Sequence, residues 1–131
     1  NVLETVNKMK EDGKVISLFG CGGDRDKAKR PIMGKIGYDL SDILILTSDN
    51  PRTESPYVIL QDMAIGLPEN YNQQKVFVVP DRSEAIQKAC ELTTPGDFVL
   101  LAGKGHEDYQ DVNGEKSHFD DMEELKKYLI C

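Results

Sequence analysis

The chain has 131 residues, of which 39% are hydrophobic, and it carries a formal net charge of −7. This length and apolar content fit one globular domain with its own core and exclude a disordered chain. The negative charge disfavours nucleic acid binding, since phosphate contacts need clustered basic side chains. No apolar run approaches the roughly 20 residues of a membrane span, and the first ten residues do not resemble a signal peptide.

The cysteines do not indicate a structural framework. Cys21, Cys90 and Cys131 are irregularly spaced, which disfavours a set of disulfides. With two histidines and no CxxC pair, we expect no metal site.

Hydrophobic periodicity divides the chain into helical stripes and short apolar runs. Pro31 suits a first helical turn, and Asp81 with Glu84 three residues later forms a capping pattern. Asn113 and Gly114 predict a type I′ hairpin turn. In chain order we predict a helix over 2–9, a strand over 15–19, a helix over 31–40, a strand over 43–47, a helix over 56–65, a strand over 76–79, a helix over 82–92, a strand over 98–102, a hairpin over 109–119 and a helix over 121–129.

The order of these elements predicts an α/β fold. Strand and helix alternate four times, and the strands are fully apolar, so we expect a mostly parallel sheet between two helical layers. The antiparallel hairpin near the C-terminus is expected to add edge strands. Ligands of such sheets bind beyond the carboxyl ends of the strands, where three polar loops begin, at 20–30, 48–55 and 103–109. The loop at 80–82 is interpreted as helix capping only.

The first loop, FGCGGDRDKAKR, is rich in glycine and charge. Gly20 and Gly22 fit the start of a dinucleotide fingerprint, but Arg25 occupies the place of the third glycine. Glycines allow close approach to a ligand, and Arg25 and Lys27 could hold an anion. The alternative is a tight turn with solvated charges, in a patch of net charge +2 between Asp24 and Arg30.

The second loop, SDNPRTE, combines an amide with a guanidinium. Pro51 restricts Asn50 to an extended or turn conformation, which places the Asn50 amide and Arg52 on one side. A guanidinium binds a carboxylate through two parallel hydrogen bonds, and Asp49 could orient Arg52. A plain helix-entry turn remains the alternative.

The third loop, AGKGHEDY, contains Gly-Lys but is not a P-loop. Gly105 replaces the serine or threonine that would hold magnesium, and the upstream glycine is absent. Glu107 could accept an ammonium group. His106 is interpreted as a packing or turn residue.

The three motifs together, in this order and at these distances, resemble the C-terminal domain of the Mur ligases, over essentially the whole chain. The resemblance is closest to the members that use diaminopimelate, which carry Asp-Asn-Pro-Arg as residues 49–52 do here. It implies a Rossmann-like, three-layer α/β/α domain that brings the incoming amino acid to the active site. It also implies that Arg25, Asn50 and Arg52 bind the distal carboxylate of diaminopimelate, and that Gly103 and Glu107 contact its other end. Asp49 would support Arg52.

The resemblance further implies what this chain lacks. We expect residues 1–131 to be one domain of a longer protein whose UDP-binding and ATP-binding domains lie elsewhere, because the chain begins without Met in mid-helix. ATP and Mg²⁺ would be bound by the central domain, with no catalytic residue, metal or cofactor here. The small-molecule substrates would be meso-diaminopimelate, a UDP-linked dipeptide and ATP. We expect a cytoplasmic, monomeric domain without nucleic acid or membrane partners, inactive by itself.

Three other functions remain open. A sister ligase adding lysine or another diamino acid is disfavoured by Arg52, which would face no carboxylate. A stand-alone module that senses an amino acid or nucleotide is disfavoured by the missing Met. A hydrolase using Cys21 and His106 lacks an evident group to orient the pair.

Overall fold

The computed structural model describes residues 2–9, 12–102 and 107–129 of the chain. In these ranges the elements are, in order, α1 (Val2–Met9), β1 (Val15–Cys21), α2 (Lys29–Leu40), β2 (Ile43–Ser48), α3 (Pro56–Ala64), β3 (Val76–Val78), α4 (Arg82–Leu92), β4 (Phe98–Ala102), β5 (Tyr109–Val112), β6 (Glu115–His118) and α5 (Asp121–Leu129). The predicted strand and helix order is confirmed.

Four strands form one parallel sheet in the order β3-β2-β1-β4. Alternate side chains of its strands enter two separate cores. One core includes Phe19 and Leu46, with α1, α2 and α3 packed over it. The other includes Leu18 and Ile45, with α4 and α5 packed over it. The sheet is therefore buried on both faces, as the apolar strands predicted, and the domain has three layers.

Two locally predicted features, the N-cap of α4 and the hairpin turn, are confirmed. The Asp81 carboxylate caps α4 by accepting a hydrogen bond of 3.1 Å from the backbone N–H of Glu84. Asn113 and Gly114 have φ values of 53° and 83°, as a type I′ turn requires.

The expectation that the hairpin extends the sheet is wrong. Within the described part of the chain, β5 and β6 form a separate two-stranded antiparallel sheet and do not join the four-stranded sheet. A strand added to the main sheet would be covered by helices on both faces. Most side chains of β5 and β6 are polar or half-exposed, which does not suit such a position. The hairpin instead forms a parallel bridge to Arg52 through Val112.

Candidate functional site

The carboxyl ends of β1, β2 and β4 bring the predicted loops to one edge of the sheet. Strand β1 lies between the other two, with Cys21 beside Ser48 and Phe19 beside Ala102. The loops that follow therefore start as neighbours, although the first begins at residue 20 and the third at residue 103. Residues 103–106 of the third loop lie outside the described part of the chain, so the roles predicted for Gly103 and His106 stay predictions.

The first and second loops are bonded into one unit. The N–H of Gly23 donates to the carbonyl oxygen of Asn50 at 2.7 Å, and the guanidinium of Arg52 donates to the carbonyl of Gly23 at 3.0 Å. The Asp24 carboxylate accepts from the Thr53 hydroxyl at 2.7 Å. These bonds cross between segments about thirty positions apart, so Arg25 of the first loop and Arg52 of the second share one backbone scaffold.

Gly23 makes this close contact possible. A Cβ atom at Gly23 would overlap the carbonyl oxygen of Pro51, so any larger residue would force the two loops apart. The glycine is buried and its carbonyl holds Arg52. The absence of a side chain at this position is therefore a requirement of the site geometry.

Arg52 is fixed by its backbone and by one guanidinium nitrogen. Its N–H donates to Asp111 at 3.0 Å and its carbonyl accepts from Asn113 at 2.8 Å, which ties it to the hairpin. Its Nη1 donates to the carbonyls of Gly23 and Asn50 at 3.0 and 3.3 Å. Within the described residues, Nε and Nη2 of Arg52 have no hydrogen-bond acceptor, so two adjacent donors remain for a ligand.

Asn50 lies between the loops and is 1% exposed. Its Oδ1 accepts from the N–H of Asp111 at 2.9 Å, and its Nδ2 donates to the carboxylate of Glu107 at 3.3 Å. The assignment of amide oxygen and nitrogen follows from this network, because only oxygen can accept from a backbone N–H. Asn50 thereby joins the arginine side of the site to its acidic side.

Glu107 provides negative charge beside the two loops. It accepts from Asn50, and its hydrogen bond with the Tyr109 hydroxyl raises the pKa of Tyr109. Arg52 acts on the same phenol in the opposite direction and lowers its pKa. The Tyr109 hydroxyl is thus influenced by the charges of both Glu107 and Arg52. The sequence patterns did not indicate that Tyr109 lies near this site.

Arg25 lies at the exposed rim of this scaffold. Its Nη1 donates to the carbonyl of Asp24 at 3.2 Å. A Cβ on Gly22 would lie 3.6 Å from Cγ of Arg25 and 2.8 Å from Nη1 of Arg52, so the two arginines flank the same glycine. The predicted cluster of Arg25, Asn50, Arg52 and Glu107 is brought together.

Asp49 is buried at the end of β2. The acceptors that hold Arg52 among the described residues are backbone carbonyls, and Gln110 donates to the backbone carbonyl of Asp49 at 3.0 Å. The predicted support of Arg52 by the Asp49 carboxylate stays a prediction.

Arg30 was counted in a patch of net charge +2, and the alternative that its charge is solvated is wrong. Its side chain is 1% exposed and donates to Glu54 at 2.8 and 3.0 Å, to Asp62 at 2.9 Å and to the carbonyl of Gly22 at 3.1 Å. Hydrogen bonds from Arg30 and from the N–H of Asp24 lower the pKa of Glu54 to about 2. A buried arginine therefore lies directly beneath the first two loops.

Arg82 was interpreted as part of a capping turn, and this was also incomplete. It is 1% exposed and donates twice to Asp121 of α5, each at 2.8 Å. It also donates to the carbonyls of Ser48 and Ala102, at 3.3 and 3.4 Å. These carbonyls end β2 and β4, so Arg82 fixes the points where the second and third loops begin.

Cys21 is half-buried at the end of β1, and burial, the largest influence, raises the pKa of its thiol. Since the thiolate is the nucleophile, this shift opposes the hydrolase alternative. Across the described ranges, no group of three or more His, Cys, Asp or Glu side chains could hold a metal ion. None of the described helices is long and apolar enough to cross a membrane.

Comparison with known proteins finds similar chains and a similar fold. The chain is 50% identical over 130 residues to UDP-N-acetylmuramoyl-L-alanyl-D-glutamate--2,6-diaminopimelate ligase of Clostridium tetani, covering 98% of this chain and 26% of that protein. A relative of the same name from Bacteroides fragilis is 52% identical over 128 residues, covering 97% of the chain and 26% of the relative. A solved structure of a ligase of this name matches with a TM-score of 0.89 and 42% identity, over 98% of this chain and 26% of that one.

The chain thus spans about a quarter of the length of the relatives it matches. The family model described as Mur ligase, glutamate ligase domain, matches residues 1–105. With that match over most of its length, the chain belongs to the Mur ligase family.

Proposed function

We propose that this chain is the amino-acid-binding domain of a ligase that adds meso-diaminopimelate to UDP-N-acetylmuramoyl-L-alanyl-D-glutamate in peptidoglycan biosynthesis. The names of its relatives describe them as ligases of UDP-N-acetylmuramoyl-L-alanyl-D-glutamate and 2,6-diaminopimelate. In the full-length ligase, the domain would bind the incoming diamino acid and bring it to the activated carboxylate when the active site closes.

The observation that carries the proposal is the state of the Arg52 guanidinium. Nη1 is occupied by two backbone carbonyls, whereas Nε and Nη2 have no acceptor among the described residues. This pair of donors matches the two oxygens of a carboxylate. Arg25, on the other side of Gly22, would supply a second positive charge to the same group.

The opposite charge needed for an amino acid is supplied by Glu107. Its carboxylate is bonded to the amide of Asn50, which itself lies against the arginine side of the site. Diaminopimelate carries an ammonium and a carboxylate at each end, so an acidic group near an arginine pair fits its charges. Gly103 would contribute backbone contacts at the same end as Glu107.

The family is ATP-dependent, and within the described ranges no group of three or more His, Cys, Asp or Glu side chains could hold a metal ion. ATP bound elsewhere in the ligase would activate the glutamate carboxylate as an acyl phosphate. This chain would hold the amino acid so that its amine reaches that group, which converts an encounter of two molecules into a reaction within one complex. UDP-linked substrates and ATP would place the protein in the cytoplasm.

Substitution of Arg52 tests the assignment in the full-length ligase that carries this chain. Removing one partner of a buried charge pair costs about 2–5 kcal/mol. We therefore expect Arg52→Ala to lower kcat/KM for diaminopimelate by roughly 30- to 5,000-fold, since each 1.4 kcal/mol corresponds to about tenfold. Apparent KM values for ATP and the UDP-dipeptide should change little, in steady-state assays with each substrate varied in turn.

Arg52→Lys is the matched variant, because it keeps the charge and loses the planar pair of donors. It should rescue diaminopimelate use poorly, and neither variant should lower the use of lysine in parallel. If Arg52→Ala reduces diaminopimelate and lysine use equally, Arg52 only holds the loop together and the proposed recognition is wrong.

A ligase for lysine or another diamino acid is the second candidate in the same class. The donors of Arg52 favour diaminopimelate over lysine, because lysine has a hydrogen in place of the distal carboxylate and its ammonium-bearing end would leave the guanidinium unpaired. The expected monomeric state of the domain stays a prediction, which sedimentation velocity of the purified chain can test.

A further inference from the structure

We propose that Arg30 is a positioning residue for amino-acid recognition, because it fixes the Gly22–Gly23 turn and, through that turn, the guanidinium of Arg52. The inference rests on the proposed function for its substrate. Arg30 itself is covered by protein and would not touch the ligand.

Three consecutive backbone groups of this turn are hydrogen-bonded, two to the side chains of Arg30 and Arg52 and one to the backbone of Asn50. The carbonyl of Gly22 accepts from Nη2 of Arg30 at 3.1 Å. The N–H of Gly23 donates to the carbonyl of Asn50, and the carbonyl of Gly23 accepts from Arg52. The Gly22 carbonyl and the Gly23 N–H belong to one peptide group, so its rotation would break both the bond to Arg30 and the bond to the Asn50 carbonyl, which also accepts from Arg52.

Glu54 links the same arginine to the other end of the turn. Its Oε1 accepts from Nη2 of Arg30 at 2.8 Å and from the N–H of Asp24 at 2.7 Å. Asp24 has a φ of 56°, a conformation that is rare for residues with a side chain and persists only when neighbouring contacts fix it. Arg30 and Glu54 together thus constrain residues 22–24 from below.

Stability alone gives little reason for this arrangement. A buried ion pair is often no more stabilising than apolar side chains of the same volume, because both charges lose their water. Nε of Arg30 is buried without a hydrogen-bond partner among the described residues, a further cost. What the arginine provides is geometry, since its planar group reaches Glu54, Asp62 and Gly22 at once.

Lysine cannot reproduce that geometry. Its single nitrogen could keep a positive charge near Glu54 and Asp62 but could not also reach the Gly22 carbonyl in the same fixed fork. Arg30→Lys therefore separates charge from position. Glu54→Gln is a second, milder variant, because the amide keeps the size of the side chain and one oxygen acceptor for the N–H of Asp24.

The experiment is steady-state kinetics of the full-length ligase with Arg30→Lys and Glu54→Gln. Displacing a binding group by about 1 Å can reduce catalysis roughly 100-fold, so we expect KM for diaminopimelate to rise by about 10- to 100-fold. KM for ATP and for the UDP-dipeptide should stay within about twofold of wild type. Asp97→Asn is the control, because it breaks the ion pair with Lys14 at the opposite edge of the sheet and should lower stability without changing KM for the amino acid.

A readout without substrate separates this inference from the proposed function. In the isolated chain, Arg30→Lys and Glu54→Gln should speed hydrogen exchange at the N–H of Gly23 and shift the NMR signal of Arg52 Nε, whereas Asp97→Asn should change neither. If these signals move but the wild-type ligase does not use diaminopimelate, the proposed function is wrong and the positioning stands. If the signals stay unchanged, or if all three KM values rise together, Arg30 has no positioning role.

Discussion

Arg52 combines an uncommon backbone conformation with a partly satisfied side chain. Its φ of 53° lies in the left-handed region, which costs about 1–2 kcal/mol for a residue with a Cβ. Hydrogen bonds to Asp111 and Asn113 of the hairpin hold it there. Such strain is retained when the surrounding structure enforces it and is common at binding sites. The hairpin, whose own residues are not proposed to touch the ligand, is thus part of how Arg52 is oriented.

Gly23 gives a direct test of how closely the first two loops must approach. Gly23→Ala places a methyl group on the Pro51 carbonyl, and overpacking of this kind costs about 1–3 kcal/mol. Since the carbonyl of Gly23 holds Arg52, we expect a rise in KM for diaminopimelate together with a lower midpoint of urea unfolding.

Gly96→Ala is the matched control for that substitution. Gly96 has a φ of 94°, and a Cβ there would meet no atom within 4 Å. The control should therefore lose stability through backbone strain and leave KM for the amino acid unchanged. Equal KM values in the Gly23→Ala variant and wild type would mean that the contact between the loops does not set the position of Arg52.

Glu54 should make the acid stability of the domain depend on its pairing with Arg30. The pKa of Glu54 is lowered from 4.5 to about 2, so its contribution is present above pH 4.5 and is lost as the pH falls from 4.5 towards 2. The Tm of wild type should exceed that of Glu54→Gln at pH 6, and the two values should converge in this window. Asp97, whose pKa is also lowered, titrates in both proteins and cancels in the difference. A gap in Tm that is constant from pH 6 to 2 would contradict the prediction.

At the scale of elements, Arg82 connects helix α5 to the loop-bearing edge of the sheet. Its Nε and Nη2 donate to the Asp121 carboxylate in α5. Its Nη1 and Nη2 also donate to the carbonyls of Ser48 and Ala102, which are the last residues of β2 and β4. Ser83, the residue after Arg82 in α4, donates to Glu124 of α5 at 2.7 Å. The contact between α4 and α5 therefore includes more than one polar pair. The last helix is thereby joined to the site without contributing a ligand-binding residue.

A double-mutant cycle measures this connection. Arg82→Ala leaves Asp121 unpaired, and breaking a buried pair costs about 3–5 kcal/mol. Asp121→Ala leaves the guanidinium unpaired, so it should also destabilise strongly. Because each single variant strands a charge and the double variant strands neither, the double variant should be more stable in urea than the sum of the single losses indicates. Additive losses would show that the two side chains do not act as a pair.

The elements differ in how far local sequence could predict them. The cap of α4 and the turn at Asn113-Gly114 depend on residues within a few positions, and both were predicted. The pairing of the hairpin was not, because the alternation of β5 and β6 does not specify what they pack against. Arg30 and Arg82 bond to carboxylates 24 and 39 positions away, at Glu54 and Asp121, and no local pattern marks an arginine as buried.

At the scale of the whole molecule, the parallel sheet converts sequence order into a site. Loops after β1 and β2 meet because carboxyl ends of neighbouring parallel strands lie at one edge, which explains why their proximity could be predicted from the sequence, whereas the roles of their residues were implied by the family resemblance. The hydrogen bonds between Gly23 and Asn50 and between Asp24 and Thr53 could not, since they depend on the close approach of two irregular segments.

The isolated chain should bind its amino acid weakly and catalyse nothing by itself. In the proposed site, the described residues would supply charges for a carboxylate and an ammonium, they include no group of three or more metal ligands, and the chain spans about a quarter of the length of its relatives. Binding would therefore use only the part of the site that this domain contributes, before closure completes it. Calorimetry should give weak heat with meso-diaminopimelate, less with lysine and none with ATP, and an ATPase assay with magnesium should stay at background. Magnesium-dependent ATP turnover by the pure chain would mean that it carries a nucleotide site of its own, and equal binding of lysine and diaminopimelate would mean that Arg52 does not select the substrate.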